Sequence, residues 1–128
     1  MADQKRILII DDDREAVAQM STLLGSAGYA VETAHDGLAG LARARDLSPD
    51  MIVVDAVLPK LNGFKVARFL KFDETYKHIP ILIVSARAEA TDRELGMEVG
   101  ASAYLTKPPK EQELLETIRI QLGLSNLD

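Results

Sequence analysis

The sequence predicts an α/β fold: a five-stranded parallel sheet, doubly wound, with helices on both faces. Three observations predict it. Short β-branched apolar runs alternate with helix-period segments along the 128 residues, as strand–helix–strand crossovers require. The first, third and fourth runs are apolar throughout, the pattern of strands covered on both sides. Polar residues close the runs at their C-terminal ends: Asp11 and Asp12, Asp55, Ser85 and, after the fifth run, Lys107. In a sheet of order 2-1-3-4-5, ligands sit beyond the carboxyl ends of the strands where the order reverses, between the first and third. Asp11, Asp12 and Asp55 flank that crevice.

The elements follow in order. Ile7-Leu8-Ile9-Ile10 is the first strand. Ala16, Val17, Met20, Leu23, Leu24 and Ala27 form a helical stripe stopped by Gly28, with Asp13 placed to cap it. The run over 29–34 contains Glu32 and Thr33, which fits a strand nearer the sheet edge. Leu38, Leu41 and Ala42 mark a shorter helix ended by Ser48-Pro49, and 51–54 is the third strand. A third helix after Gly63 carries Val66, Ala67 and Leu70. Phe69 and Phe72 fall off its stripe, either as a partner or dimer patch or as residues buried by the helix end or a longer loop. The fourth strand covers 81–84, and a weaker helix over 91–99 is interrupted by Gly96. Ala103-Tyr104-Leu105 is the fifth strand. Leu114, Leu115, Ile118 and Leu122 mark the last helix, with Gly123 as its C-cap.

Size and a 47% hydrophobic content suit one compact domain, 1–128. The net charge of −5 argues against direct nucleic-acid binding. No apolar stretch reaches the roughly 18 residues of a membrane-spanning helix, and the start lacks a signal-peptide core, so a cytoplasmic location with no membrane insertion is expected. The absence of cysteine excludes disulfides and thiolate metal sites.

Three clustered carboxylates at neutral pH repel and raise one another's pKa unless a cation neutralises them. An all-oxygen donor set without histidine suits Mg²⁺ or Mn²⁺. The other reading of Asp11 to Asp13 is a helix cap, and for Asp13 that reading is preferred. Asp55 opens a loop in which Pro59 and Asn62-Gly63 favour turns, and Ala56 leaves room beside the carboxylate. There Asp55 reads as a nucleophile that forms an aspartyl phosphate, although a single aspartate at a loop start is common. Ser85-Ala86 and Lys107-Pro108-Pro109 supply a hydroxyl and an ammonium for two phosphoryl oxygens. Taken singly, these would be a turn residue and a solvated charge. Together they suit phosphoryl transfer, which rests on positioning and charge neutralisation. A residue before proline is extended, and a cis bond there is rare in general. His35 and His78 lie beside turns and read as solvated.

These stretches resemble the response-regulator receiver domain of two-component signalling, in its chemotaxis-regulator-like form. The matching segments are Ile9-Ile10-Asp11-Asp12-Asp13, 49–63, 79–86 and 100–108, in register over nearly the full length. The resemblance implies a flavodoxin-like fold and a phosphoryl group received on Asp55 from a sensor histidine kinase or phosphotransfer protein. It implies that Asp12 binds Mg²⁺ directly, Asp11 acts through water, and the backbone carbonyl of Val57 is a further ligand. The backbone at Ala56 and Ala86 would contact the phosphoryl group. Ser85 would move towards that group, Tyr104 would turn inward in response, and Lys107 would bond the phosphate beside a cis peptide to Pro108. The downstream partner would be met by the face of helix four, strand five and helix five. Val57 and Arg87, two residues after Asp55 and Ser85, would border the phosphoryl group, and apolar Val57 would lengthen the aspartyl-phosphate lifetime. On this reading the protein catalyses its own phosphorylation and dephosphorylation and is a signalling element rather than a metabolic enzyme.

Three alternatives use the same residues differently. A phosphatase of the haloacid-dehalogenase type would use Asp11 as nucleophile, but Glu15 stands where a small hydroxyl residue belongs. A flavin mononucleotide carrier would need a hydroxyl- and glycine-rich loop where the three acids stand. A receiver within a longer regulator would share all the chemistry; with only 124–128 after Gly123, a stand-alone receiver without a DNA-reading helix is expected.

Overall fold

The computed structural model describes residues 4–124. The readings placed on 1–3 and on 125–128 lie outside the described residues. Five strands, β1 (Arg6–Ile10), β2 (Ala30–Ala34), β3 (Met51–Val54), β4 (Ile81–Ser85) and β5 (Ala103–Thr106), alternate with five helices. The helices are α1 (Arg14–Ser26), α2 (Gly37–Leu47), α3 (Gly63–Lys71), α4 (Ala90–Glu98) and α5 (Glu111–Gln121). The sheet is parallel throughout, in the expected order β2-β1-β3-β4-β5. Half-buried β2 lies at an edge, as Glu32 and Thr33 predict. None of the described helices is long and apolar enough to cross a membrane.

The twofold period of the central strands divides the core. Ile7, Ile9, Met51, Val53, Leu82 and Val84 face one side, packed with Val17, Met20 and Leu24 of α1 and Leu114 and Ile118 of α5. Leu8, Ile10, Ile52, Val54, Ile81 and Ile83 face the other, against residues of α2 and α3 and against Val99 beyond α4. With both faces covered, no alternation of polar and apolar residues survives in these strands.

Helix starts follow side-chain caps. Asp13 accepts from the N–H groups of Glu15 and Ala16, Asp36 from Ala39, and Asn62 from Lys65. The buried face of α2 differs from the Leu38, Leu41, Ala42 stripe. Gly37, Gly40, Leu41 and Ala44 point inward, and Leu38 is exposed. The cause is close approach: a Cβ at Gly40 would lie 2.6–2.9 Å from Ile10, and one at Gly37 would lie 1.6 Å from the Leu61 carbonyl oxygen. Hydropathy ranks glycine low, so the stripe appears rotated by one position. Gly96 does not interrupt α4 but lets it approach Tyr104, whose Cδ2 would be 2.9 Å from an added Cβ. Between α3 and β4, the half-buried Lys71 ammonium donates to the carbonyls of Ile79 (2.5 Å) and Lys77 (3.1 Å), and burial lowers its pKa.

The loop after β3 returns over the strand end. Gly63 N–H donates to the Ala56 carbonyl at 2.9 Å, and Lys60 takes a left-handed φ of 70°. A Cβ at Gly63 would fall 1.9 Å from the carbonyl oxygen of Asp55. Gly63→Ala is expected to lower the unfolding free energy by about 1–3 kcal/mol through overpacking. Gly25→Ala, with nothing within 4 Å of its Cβ in the last turn of α1, should raise it by about 0.4–1 kcal/mol. Urea denaturation of both variants measures this; a neutral Gly63→Ala would remove the close-approach explanation.

Candidate functional site

Register brings the rim residues together. Ile10 pairs with Val54, so Asp11 and Asp55 emerge side by side, and the Asp55 N–H donates to the Ile10 carbonyl at 3.0 Å. Ser85 pairs with Thr106, so Lys107 leaves β5 one residue beyond it, its N–H bonded to the Ser85 carbonyl at 2.9 Å. The Lys107–Pro108 peptide is cis. Asp11, Asp12 and Asp55 each place one carboxylate oxygen within 4.8 Å of the others; Asp11 and Asp55 are buried and Asp12 is exposed.

Lys107 binds this cluster from within. Its Nζ lies 2.7 Å from Asp11 Oδ2 and 2.7 Å from Asp55 Oδ2. The free lobes of the carboxylates are held by backbone: Asp13 N–H donates to Asp11 Oδ1 at 2.9 Å, and Val57 N–H to Asp55 Oδ1 at 3.0 Å. Burial raises the Asp11 pKa, outweighing the bonds from Lys107 and Asp13, while the Asp55 charge adds least. Desolvation, more than mutual repulsion, therefore makes the ionised Asp11 costly. For Lys107, burial opposes the charged form, but bonds to Asp11 and Asp55 and their charges raise its pKa.

Ser85 is fully buried, and its Oγ accepts from the Arg87 N–H at 3.3 Å. Tyr104 is buried with its ring inward, and its hydroxyl donates to the Arg87 carbonyl at 2.5 Å. Burial and then the Asp92 charge raise the phenol pKa, against a Ser85 hydrogen bond and the charges of Arg87 and Arg93. The Arg93 guanidinium lies 5.3 Å from the Tyr104 ring centroid and donates to the Tyr104 carbonyl and the Thr106 hydroxyl.

Three side chains are placed differently from the sequence expectation. Ala56 is buried in the core beneath the rim, so its methyl does not stand beside the carboxylate; only its backbone belongs to the loop. Arg87 is committed to buried Asp92 at 2.7 Å and lies 5.8 Å from the Phe64 ring centroid, while Val57 is exposed. His35 is half-buried, and its Nδ1 meets the Asp11 carbonyl at 3.1 Å, bracing the acidic loop. Position gives the only sequence signal for that role, since His35 follows β2 as Asp11 follows β1. Arg93 gives none, because an arginine on a helix ordinarily reads as a solvated charge.

A doubly wound parallel sheet with three carboxylates at its switch point, two of them bridged by a lysine, defines the class of phosphoryl-handling domains. The family model "Response regulator receiver domain" matches residues 7–119, and the chain belongs to that family. It is 44% identical over 117 residues to the DNA-binding dual master transcriptional regulator RpaA of Synechocystis sp., covering 91% of this chain and 48% of that protein. It is 40% identical over 118 residues to Protein PilH of Pseudomonas aeruginosa, covering 92% and 98%. The chain thus spans about half the length of RpaA and nearly all of PilH. Among solved structures it is similar to the receiver domain of the sensor histidine kinase PA1611 from Pseudomonas aeruginosa, with magnesium coordinated in that protein's active-site cleft. There the TM-score is 0.87 at 30% identity, covering 94% of this chain and 99% of that one. Receiver domains use Mg²⁺ and act with histidine kinases or phosphotransfer proteins and with output domains.

The lysine bridge gives a signed pH prediction. Lys107, with its pKa raised on folding, contributes stability that is full below the ordinary lysine value of 10.5 and is lost as pH rises through the raised value. Asp11, also raised, has the same sign of pH dependence over a lower window: its own contribution falls as pH rises from 3.8 through its raised value. Lys107→Met should lose about 2–4 kcal/mol at pH 7 without divalent cation, less than a fully buried pair because 16% of the side chain stays exposed. Urea midpoints should show that difference narrowing above pH 10.5. Equal stability of the two proteins at pH 7 would exclude the bridge as a stabilising contact.

Proposed function

We propose that this receiver accepts a phosphoryl group on Asp55 from a histidine kinase or phosphotransfer protein and catalyses both gain and loss of that group. One observation carries the reading: the Lys107 ammonium is shared between Asp11 and Asp55 at equal distances of 2.7 Å. A structural ion pair needs one carboxylate; a counter-charge held between two can follow negative charge as it moves. In the transfer, an Asp55 carboxylate oxygen forms the new P–O bond. The P–N bond to the donor imidazole breaks, and its electron pair returns to the ring nitrogen. Charge then sits on the phosphoryl oxygens, and Lys107 turns to them from Asp55. The Ser85 hydroxyl donates to a second oxygen, and backbone N–H groups at Ala56 and Ala86 line the same place.

The donor set fits a hard divalent cation. Three carboxylate oxygens converge without nitrogen or sulfur, and burial makes the charged form of Asp11 costly, a cost that a cation relieves. Asp11, Asp12, Asp55 and the Val57 carbonyl would hold Mg²⁺ or Mn²⁺. When bound, the ion neutralises charge on the transferring group.

Signal leaves through Tyr104. Its inward ring and the Ser85 hydroxyl meet around the Arg87 backbone, so movement of Ser85 towards a phosphoryl group alters the space behind Tyr104. Tyr104 lies on β5 and packs under α4, which makes the α4–β5–α5 face the proposed surface for the downstream protein. Residues 1–128 act as one receiver unit on this reading, with no direct contact to nucleic acid. Similarity to RpaA over half its length supports the same chemistry within a longer regulator.

Incubation with acetyl phosphate and Mg²⁺ should add one phosphoryl group by intact mass, and Asp55→Asn should add none. Undiminished labelling of Asp55→Asn would overturn the assignment, and a label mapped to Asp11 would favour the phosphatase reading. Val57 is 53% exposed and has no group to orient water. Val57→Asn should therefore shorten the aspartyl-phosphate half-life by about tenfold, a small part of what positioned acid–base groups supply. Phosphate release after donor removal measures it, and an unchanged half-life would dismiss Val57 as a rate determinant.

A further inference from the structure

Helix α3 has two apolar faces. Val66, Ala67 and Leu70 are buried in the core, whereas Phe69 and Phe72 point outward, 51% and 76% exposed. The outward pair was one of two sequence readings; burial by a helix end or loop is not what the structure shows. Lys65, Arg68, Phe69 and Phe72 recur at three- and four-residue spacing along one side of the helix and, with Leu61 of the preceding loop, line a groove of about 790 Å³. Its far end carries Asp73 and Glu74.

The charges along this groove are ordered: Lys65 and Arg68 first, the aromatic rings between, and the two acids last. That order does not serve the helix, because Lys65 in the first turn and acids beyond the C-terminus both oppose the macrodipole. Nor is it consumed by internal pairing. Among the described residues, Lys65, Arg68 and Asp73 form no ion pair, and Glu74 has only an exposed contact to Lys77. A surface positive at one end and negative at the other is complementary to itself when reversed. A two-fold axis supplies that reversal. A uniformly charged partner, whether nucleic acid or anionic lipid, meets repulsion at one end.

We infer that α3 is a self-docking face on which two copies of this chain meet antiparallel. Phe69 lies near the axis and Phe72 beside it, and Lys65 and Arg68 of each copy face Asp73 and Glu74 of the other. The Arg68 guanidinium, 5.7 Å from its own Phe72 ring centroid, braces the aromatic surface before docking. This surface goes beyond the phosphoryl site and lies on a different helix from the α4–β5–α5 face. One helix stripe covers less than a standard interface, so the association is weaker than the range of about 1 μM to 1 pM seen for interfaces of about 1,600 Å².

Sedimentation velocity without phosphodonor tests this. The protein should pass from monomer to dimer as its concentration is raised above about 1 μM. Phe69→Ala with Phe72→Ala should weaken dimerisation by tenfold or more. Lys65→Glu with Arg68→Glu makes the stripe wholly acidic, and Asp73→Lys with Glu74→Lys makes it wholly basic. Each double variant alone should be monomeric, and an equimolar mixture should form heterodimers. All six positions are surface-exposed or half-buried, and an unchanged far-ultraviolet circular dichroism spectrum reports that each variant is folded. A monomer at every concentration, or a dimer untouched by the aromatic variants, would overturn the inference. Loss in both charge variants without rescue on mixing would overturn the antiparallel arrangement. None of these outcomes bears on Asp55 labelling, so this inference and the proposed function fail separately.

Discussion

Ile10 sits opposite Val54, and Ser85 opposite Thr106, in a sheet with every strand pointing the same way. Parallel pairing without stagger brings the strand ends out on one edge. Polar residues that follow each strand then share a small volume although they are far apart in sequence. Asp11, Asp55 and Lys107 meet for this reason. One residue of slip in β3 would replace the Asp55 carboxylate with a neighbour and turn the core residues of that strand to the wrong face. The apolar core thus fixes the polar site, since the pairings that bury Ile52, Val54 and Ile83 are those that align the rim.

Within that frame the site holds a balance between solvation and charge. Two buried carboxylates are unfavourable alone, and a lysine between them makes the arrangement tolerable without making it comfortable. Backbone N–H groups from Asp13 and Val57 hold the other carboxylate lobes in place. Asp12, the exposed member, adds charge where solvent and small ions arrive. The geometry is therefore preorganised, and what stays adjustable is the position of one flexible ammonium.

Legibility in the sequence followed burial. β1, β3 and β4 could be read because two covered faces leave only apolar residues, and β2 because its edge position admits Glu32 and Thr33. The rim residues could be read because strand ends are visible as the ends of apolar runs. The errors share a cause, which is contact with backbone or empty space. The inward face of α2 is built from Gly37 and Gly40, whose contribution is the absence of a side chain. Ala56 reads from its small size as part of the rim, yet its methyl is buried in the core. His35 acts through a carbonyl oxygen and Arg93 partly so, and every residue carries a carbonyl that no pattern marks.

The contact between Gly96 and Tyr104 has a further implication. A helix and an aromatic ring share a space where even one methyl group does not fit. The two are therefore not independent coordinates: the angle of the ring and the height of α4 above the sheet form a single mechanical variable. A partner docked on α4 would press on the ring, and through it on the Arg87 carbonyl that the Tyr104 hydroxyl bonds, alongside the hydrogen bond that Arg93 of α4 already makes to the Tyr104 carbonyl. Sensitivity would then run inward as well as outward, and occupancy of the surface would be felt at the strand ends as a change in free volume.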